Sequence, residues 1–424
     1  MKGVPCIVRR FPHFLYLFAM AMPTSPTRTL LQPDPQSITD PGPDAVSKVP
    51  DFPLRRSRAL TACRKIHAGL DAVVLCDPLD IHYLSGSRHC ISWLVLHQGT
   101  PFALSRHMLV REARAEAPDC EILLPSERST DRPDIEPFII GELVKRGHHT
   151  IAVDPAKLTA QSYLAILRHA AAAGMEILDI PNLLAGVRAV KEASEIALTR
   201  RCVHIAQQAF TGLIAGGARS LIGRTEKDVS NELESRMWDL GADCQGFPET
   251  GVIIASGPNS ASPHHTPGQR RIAAGEALLI DWGAEVAGYR SDLTRTIFPV
   301  SVPDFALQAY PVVERALHLA SQQLRPGAAM GEVDRAARET ITDAGYTEFH
   351  YGVGHGFGLA IHEAPWLRAH STELCDIDMV TTIEPGIYLP EIGGIRIEND
   401  YLVTPDGNEC LCDLPTDLAS MIIA

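Results

Sequence analysis

The 424-residue sequence lacks three features that would place it in a special class of protein: a basic charge excess, paired cysteines and a long apolar run. Only 38 Lys and Arg stand against 51 Asp and Glu, giving a formal net charge of −13. This balance argues against a nucleic-acid-binding protein and against one held on anionic lipid. No apolar run is long enough to cross a bilayer, so we expect no membrane partner and a soluble protein.

The ten cysteines are scattered along the chain, and no CxxC pair occurs. Cys410 and Cys412 are separated by one residue, which is too close for the usual zinc pairing. Disulfide frameworks are typical of short secreted chains rather than of chains this long. We therefore expect mostly reduced thiols in the core.

Residues 1–53 are predicted to be a leader. Residues 1–21 contain basic residues followed by the apolar segment FPHFLYLFAMAM, which resembles a signal peptide; the alternative is a true start at Met20 or Met22. Residues 23–53 are rich in Pro, Asp, Ser and Thr and are expected to be extended or disordered. We expect a cytoplasmic protein, or a secreted or periplasmic one if the signal peptide is real.

What the sequence does contain begins with an alternation of helical and strand patterns over residues 54–182. DAVVLC, CEILLP, TIAVDP and MEILDI have strand character, and helical segments lie between them, which predicts an α/β amino-terminal domain. A second domain is predicted over residues 186–424, with long helices, a β-rich region near 251–300 and further strands after 378. One of its helices, TEKDVSNELESRMWDLG, begins with a Thr-x-x-Asp pattern close to a capping box.

An aspartate pair stands out in the segment LLIDWGAEVAGYRSDLTRTIF, residues 278–298. Asp281 ends an apolar strand, a turn is predicted at Gly288, and Asp292 begins the returning strand, so the two carboxylates are expected to face each other across a hairpin. A single Asp at a strand end is usually a turn residue. Two carboxylates buried together are costly unless they are compensated, which favours a cation between them.

Two later segments offer further metal-ligating side chains. HYGVGHGFGLAIHEAPW contains His355 and His362, and its glycines do not follow the GxGxxG pattern of a nucleotide site. TIEPGIYLPEIGGIRIEND predicts a second hairpin in which Glu384 and Glu398 point inward. A lone His or Glu in such segments is more often a core or turn residue.

Four carboxylates and one imidazole suit two divalent cations. The charges of −4 and +4 cancel, whereas without metal the clustered acids would raise each other's pKa. Oxygen-rich ligands with one histidine favour Mn²⁺, with Co²⁺, Fe²⁺ and Zn²⁺ as alternatives. Two such ions roughly 3.5–4 Å apart lower the pKa of a shared water and polarise a carbonyl.

The order Asp281, Asp292, His355, Glu384 and Glu398, within these local sequences, resembles the pita-bread metallopeptidases, family M24. That family includes methionine aminopeptidase, aminopeptidase P and prolidase. The segment GLDAVVLCDPLDIHYLSG is similar to the amino-terminal domain of the Xaa-Pro branch. The resemblance implies an α+β protein, with an α/β domain followed by a catalytic domain whose helices pack on a curved antiparallel sheet.

Residue roles follow from the resemblance by matching position. Asp281 is expected to bind one metal, Asp292 and Glu398 to bridge both, and His355 and Glu384 to complete the second site. Glu384 is also a candidate to accept the proton of the attacking water.

The resemblance also implies three substrate-side residues. SGPNSASPHH is similar to a segment that carries a substrate-facing histidine, which is His264 by position, although His265 is adjacent. His362 is expected to contact substrate as well. Arg396 is expected to orient Glu398 or to fix substrate charge.

The resemblance leaves several functions open. We expect a peptide substrate cleaved at an N-terminal Xaa-Pro bond, with aminopeptidase P slightly ahead of the dipeptidase prolidase because no cationic clamp for a free carboxylate can be placed from the sequence. A creatinase-like or other C–N hydrolase or lyase acting on a small amide keeps the same fold, and a ligand-free binding module is the least favoured. The Asn399-Asp400 doublet departs from the acidic doublet of many relatives. A homodimer or higher homo-oligomer is expected.

Overall fold

The computed structural model describes residues 50–125, 135–347, 349 and 351–424. The predicted leader therefore lies almost entirely outside the described residues, and the first helix begins at Phe52. Within the described ranges, no helix has both the length and the apolar character needed to cross a membrane.

The amino-terminal part is a six-stranded sheet with helices on both faces. Its helices are α1 (Phe52–Ile66), α2 (Pro78–Ser85), α3 (Val110–Glu116), α4 (Ile135–Lys145), α5 (Ala160–Ala172) and α6 (Ala185–Ala189). Its strands are β1 (Ala72–Leu75), β2 (Trp93–His97), β3 (Phe102–Leu104), β4 (Glu121–Leu123), β5 (Thr150–Val153) and β6 (Glu176–Asp179), in the order β4-β3-β2-β1-β5-β6. The pairs β3–β4, β1–β5 and β5–β6 are parallel, and the pairs β1–β2 and β2–β3 are antiparallel.

Strand β1 shows why this part folds as a layered α/β domain. Its sequence AVVL is buried throughout. Val73 and Leu75 belong to one apolar cluster, and Ala72 and Val74 belong to another. Because side chains alternate between the two faces of a strand, both faces of the sheet are covered, as a continuous apolar run requires.

The remainder of the chain combines four long helices with antiparallel sheets. The helices are α7 (Ala193–Ile214), α8 (Glu226–Asp239), α9 (Asp304–Gln323) and α10 (Met330–Asp343). The first strands are β7 (Cys244–Gln245), β8 (Ile253–Ser256), β9 (Leu278–Trp282), β10 (Ala284–Val286), β11 (Tyr289–Arg290) and β12 (Leu293–Pro299). The later strands are β13 (Gly354–Gly356), β14 (Glu363–Leu367), β15 (Val380–Ile383), β16 (Gly386–Leu389), β17 (Gly393–Arg396), β18 (Asn399–Thr404), β19 (Gly407–Cys410) and β20 (Ile422–Ile423). Short 3-10 helices span His107–Leu109, Ala218–Ser220, Gly257–Ala261 and Leu418–Met421.

Two sheets form the centre of this second part. One has the order β20-β12-β9-β8 and the other β14-β13-β15-β18-β19, and a bridge between Thr294 and Glu398 joins them. One large apolar cluster contains side chains from the helices α7 to α10 and from both sheets. The predicted α+β class, with helices packed on antiparallel sheets after an α/β domain, is confirmed.

The hairpin predicted around Asp281 and Asp292 is wrong in its register. Strand β9 pairs with β12 so that Asp281 lies opposite Thr294. The predicted turn near Gly288 exists, but it belongs to a smaller hairpin, β10–β11, inserted between the two longer strands. Ala287 and Gly288 both have positive φ there, and glycine adopts such a conformation without strain.

Candidate metal centre

The two aspartates share one face of the β9–β12 ladder. Asp281 is the cross-strand neighbour of Thr294, and Asp292 precedes Thr294 by two residues, so Asp292 lies diagonally across from Asp281. Gly283 makes this arrangement possible, because a Cβ at that position would lie 1.8 Å from the carbonyl oxygen of Ser291. Both carboxylates are more than nine-tenths buried and line the same cavity.

The two glutamates also flank an inserted hairpin, β16–β17. Ile383 is paired with Asn399, so Glu384 and Glu398 lie directly opposite each other just beyond that pair. Glu398 is tied to β12 by two hydrogen bonds: its backbone N–H donates to the Thr294 carbonyl at 3.1 Å, and the Thr294 hydroxyl donates to Glu398 Oε2 at 2.6 Å. This link brings the second acid pair against the first.

His355 joins the two acid pairs. It lies in β13 and is buried, with Nε2 3.3 Å from Glu384 Oε1 and 3.6 Å from Asp292 Oδ2. Ligand atoms of Asp292, His355 and Glu398 all lie within 4.8 Å of one another. The five residues predicted as ligands therefore surround one cavity of about 520 Å³.

We call Asp281, Asp292, Glu384 and Glu398 the cavity cluster. Burial raises the pKa of Asp292 and of Glu398 well above their usual values, and the neighbouring carboxylates raise both pKa values further. Burial also raises the pKa of Glu384 to about 8, although Arg396 opposes this. Among the described residues, Arg396 is the arginine or lysine that ion-pairs with the cluster, donating from Nη2 to Asp281.

The cavity cluster fits divalent cations on chemical grounds. Four carboxylates, of which Glu384 is only partly buried, face one contacting arginine, which leaves an excess of negative charge in a medium that penalises it. Asp281 Oδ1 is buried and accepts no hydrogen bond from the described residues. A buried oxygen without a donor, next to an imidazole nitrogen and further carboxylate oxygens, is the set of atoms that Mn²⁺ and similar ions use.

Two of the predicted substrate-side histidines border the same cavity. His264 and His362 are exposed and line it. The ring of His362 packs edge-on against that of His355, with 4.4 Å between centroids. Although part of the ring is open to solvent, desolvation on its cavity side, with His355 and His264 nearby, lowers the pKa of His362. His265 is engaged elsewhere, because its Nε2 lies 2.8 Å from Glu226 Oε2.

The Arg396 guanidinium contacts four partners, one of which is the carbonyl of Pro263 at 3.3 Å. Besides Asp281, its guanidinium donates to the hydroxyl of Thr294 at 3.0 Å and to that of Tyr388 at 2.9 Å. Tyr388 in turn is 2.7 Å from the hydroxyl of Tyr351, which lines the cavity. Arg396 therefore belongs to a hydrogen-bonded chain rather than to the protein surface.

The sequence reasoning missed one residue that lines the cavity and one contact behind it. Arg368 lines the cavity, with its guanidinium carbon 4.3 Å from the centre of the Trp366 ring. The i, i+2 spacing of these two residues at the end of β14 is the signal that could have indicated a shared face.

Asp400 accepts a hydrogen bond of 3.0 Å from the backbone N–H of Asp292, whereas its neighbour Asn399 accepts from Arg295.

Comparisons with known proteins agree with this architecture. Residues 197–405 match the model of metallopeptidase family M24, and residues 55–190 match the creatinase/prolidase N-terminal domain. The peptidase YqhT of Bacillus subtilis is 30% identical over 354 residues, which is 82% of this chain and 96% of the relative.

Two solved structures superpose on most of this chain. An Xaa-Pro dipeptidase from Bacillus anthracis superposes with a TM-score of 0.79 and 31% identity, covering 88% of this chain and 100% of that protein. An X-Pro aminopeptidase from Thermotoga maritima gives a TM-score of 0.73 and 27% identity, covering 84% of this chain and 99% of that protein.

Proposed function

The chain belongs to metallopeptidase family M24, and on that basis we propose that it hydrolyses the bond between an N-terminal residue and a following proline, with Xaa-Pro dipeptides as the preferred substrates. The observation that carries the proposal is the cavity cluster with His355, which borders a cavity that His264 and His362 also line. The M24 assignment supports a peptidase hydrolase, and the proline and length preferences are the proposed part.

The proposed cofactor is a pair of divalent cations, with Mn²⁺ as the expected metal. Asp281, Asp292, His355, Glu384 and Glu398 would hold them, and the unpartnered Asp281 Oδ1 supports this. When bound, such ions lower the pKa of water and polarise the scissile carbonyl.

The roles proposed for the other side chains follow from their protonation states. His362 is proposed to act as a neutral imidazole, since partial desolvation at the cavity wall and the nearby His355 and His264 lower its pKa. A neutral imidazole can donate its N–H to the carbonyl oxygen as negative charge develops there. His264, exposed in the same wall, is proposed to hold the substrate, and Glu384 to accept a proton from water. Arg396 is proposed to orient Asp281, to which it donates.

The preference for dipeptides rests on Arg368. Its guanidinium is stacked on Trp366 in the cavity wall, and it has no ion-pair partner within the described ranges. A free guanidinium facing a cavity suits a carboxylate, which a dipeptide presents next to its scissile bond. Arg368 was not identified from the sequence. For that reason the sequence alone placed aminopeptidase P ahead of prolidase.

Aminopeptidase activity on longer peptides is the second candidate. It is favoured by the similarity to the Thermotoga maritima X-Pro aminopeptidase. The exposure of Arg368 to solvent is compatible with a peptide that continues past proline. A homodimer or higher oligomer stays a prediction.

Product analysis by mass spectrometry tests the proposal. Protein reconstituted with Mn²⁺ is given Ala-Pro, Ala-Pro-Ala, Met-Ala-Ala and Ala-Ala-Ala, beside a chelator-treated sample. We expect metal-dependent release of alanine, fastest from Ala-Pro. Faster cleavage of Ala-Pro-Ala would favour the aminopeptidase. No cleavage of any peptide by protein carrying two metals would exclude the peptidase function and favour a non-peptide C–N hydrolase.

A further inference from the structure

The residue after His362 is held by two buried cations. Glu363 Oε1 lies 2.7 Å from Lys191 Nζ, and Glu363 Oε2 contacts Arg188 Nη2. The three side chains are each at most about one-tenth exposed. Burial alone would raise the pKa of Glu363, but Lys191 and Arg188 hold it below its usual value. This carboxylate is therefore a charged, fixed point beside the cavity.

The cations connect Glu363 to the amino-terminal domain. Arg188 Nη1 donates to Asp80 Oδ1 at 2.9 Å, and Asp80 lies in helix α2. Lys191 Nζ also donates to the Arg188 carbonyl at 2.7 Å. We call Asp80, Arg188, Lys191 and Glu363 the junction cluster. It contains two carboxylates and two cations, so its charges balance.

The segment 358–363 is built around the Glu363 carboxylate. The backbone N–H of Ala360 donates to Glu363 Oε2 at 3.3 Å. A Cβ on Gly358 would lie 2.6 Å from Glu363 Oε1 and 3.2 Å from Lys191 Nζ, so the glycine leaves the space that this ion pair occupies. Within the segment, the carboxylate therefore holds the backbone at Ala360, two residues before His362.

The orientation of His362 depends on the backbone of this segment, because the imidazole ring itself makes few contacts. Its ring packs on His355, and no hydrogen bond to its nitrogens is formed by the described residues. A side chain of this kind is oriented by the backbone that carries it. Misplacing a catalytic group by about 1 Å costs roughly 100-fold in rate.

We propose that Glu363 is a positioning residue for His362, and that the amino-terminal domain sets the orientation of His362 through Asp80 and Arg188. The proposal rests on the proposed function, since it assigns His362 a part in catalysis. It adds a role for the amino-terminal domain, which supports a cavity residue of the other domain through the junction cluster.

The test is a double-mutant comparison on the full-length, metal-reconstituted enzyme. Glu363→Gln should lower kcat for Ala-Pro about 10- to 100-fold with KM and metal content little changed. In a His362→Ala background, Glu363→Gln should have almost no further effect. A merely structural role would lower kcat by the same factor in both backgrounds, and that result would overturn the proposal.

Two further variants keep the test decisive. If Glu363→Gln does not fold, Glu363→Gln combined with Lys191→Met removes one carboxylate and one cation together and should show the same loss of kcat. Glu285→Gln is the matched control, since Glu285 is a buried carboxylate that ion-pairs with Arg290 at 2.7 Å outside the junction cluster.

A measurement without substrate separates this proposal from the proposed function. Hydrogen exchange of segment 358–363 should become faster in Glu363→Gln and stay unchanged in Glu285→Gln. Faster exchange in a protein that cleaves no peptide would refute the peptidase function but keep the coupling of Glu363 to this segment. Unchanged exchange in Glu363→Gln would refute the positioning role.

Discussion

The chain buries two groups of charged side chains a short distance apart, and they differ in how their charge is balanced. The junction cluster pairs two carboxylates with two cations, and the pKa of Glu363 is lowered. The cavity cluster gathers four carboxylates around one arginine, and the pKa values of Asp292, Glu384 and Glu398 are raised. Burial of acids therefore does not by itself mark a metal site. A buried excess of negative charge is what favours a cation.

The largest effect is expected from removing one member of the cavity cluster, which tests the difference between the two clusters most directly. Asp292→Ala should abolish metal binding and reduce cleavage of Ala-Pro to that of chelator-treated wild type, because its carboxylate is predicted to serve both ions. Activity assays with metal analysis of the purified variant test this. Retention of two metals and full turnover would show that the ligand assignment is wrong.

Removing one member of the junction cluster should act on stability. Glu363→Gln leaves two buried cations with one carboxylate, and breaking a buried pair in this way costs about 3–5 kcal/mol of unfolding free energy. Glu409→Gln is the control, since Glu409 pairs with Arg200 at the surface and is 45% exposed; its loss should cost at most about 1 kcal/mol. Equal losses, measured by denaturant unfolding, would contradict the difference between buried and exposed pairs.

The two clusters should respond to pH in opposite directions in metal-free protein. The folded pKa of Glu384 is raised to about 8, so its contribution to stability is full below about pH 4.5 and is lost as pH rises through 8. The folded pKa of Glu363 is lowered, so its contribution is present above its usual pKa and lost as pH falls through the folded value. Unfolding of Glu384→Gln and Glu363→Gln, each against wild type from about pH 2 to 9, measures both slopes. Slopes of the same sign would refute the comparison.

The smallest expected effect concerns Arg368, a cation that belongs to neither cluster. Arg368→Ala should lower kcat/KM for Ala-Pro about 10- to 100-fold, since a charge-assisted hydrogen bond contributes roughly 1.5–3 kcal/mol. Ala-Pro amide, which has no free carboxylate, should be affected far less. Steady-state kinetics on both substrates distinguish these outcomes, and equal losses on the two would argue against carboxylate binding.

Local patterns made much of the fold predictable. The Thr225 capping box at the start of α8 forms as its sequence indicates, because it depends on residues three apart. The alternation of strands and helices over 54–182 likewise depends on short apolar runs. The five predicted ligand residues do surround one cavity, although their role as ligands stays a prediction.

Contacts between distant segments were not predictable in this way. The register that sets Asp281 against Thr294 depends on an inserted hairpin, whose presence no local pattern showed. The junction cluster joins Asp80 to Glu363 across most of the chain, and each of its residues looks like a surface charge when taken alone. Arg368 was missed for the same reason, since its exposure to the cavity depends on how β14 is placed.

The spread of the cavity cluster along the chain has a consequence for folding. Asp281 and Glu398 lie more than a hundred residues apart, and Thr294 joins them only after β9, β12 and the segment before β18 have come together. Closing so long a loop is a late and slow step in the folding of a chain. Metal uptake should therefore follow the burial of Trp282 during refolding and report completion of the fold, and uptake that precedes this burial would contradict that order.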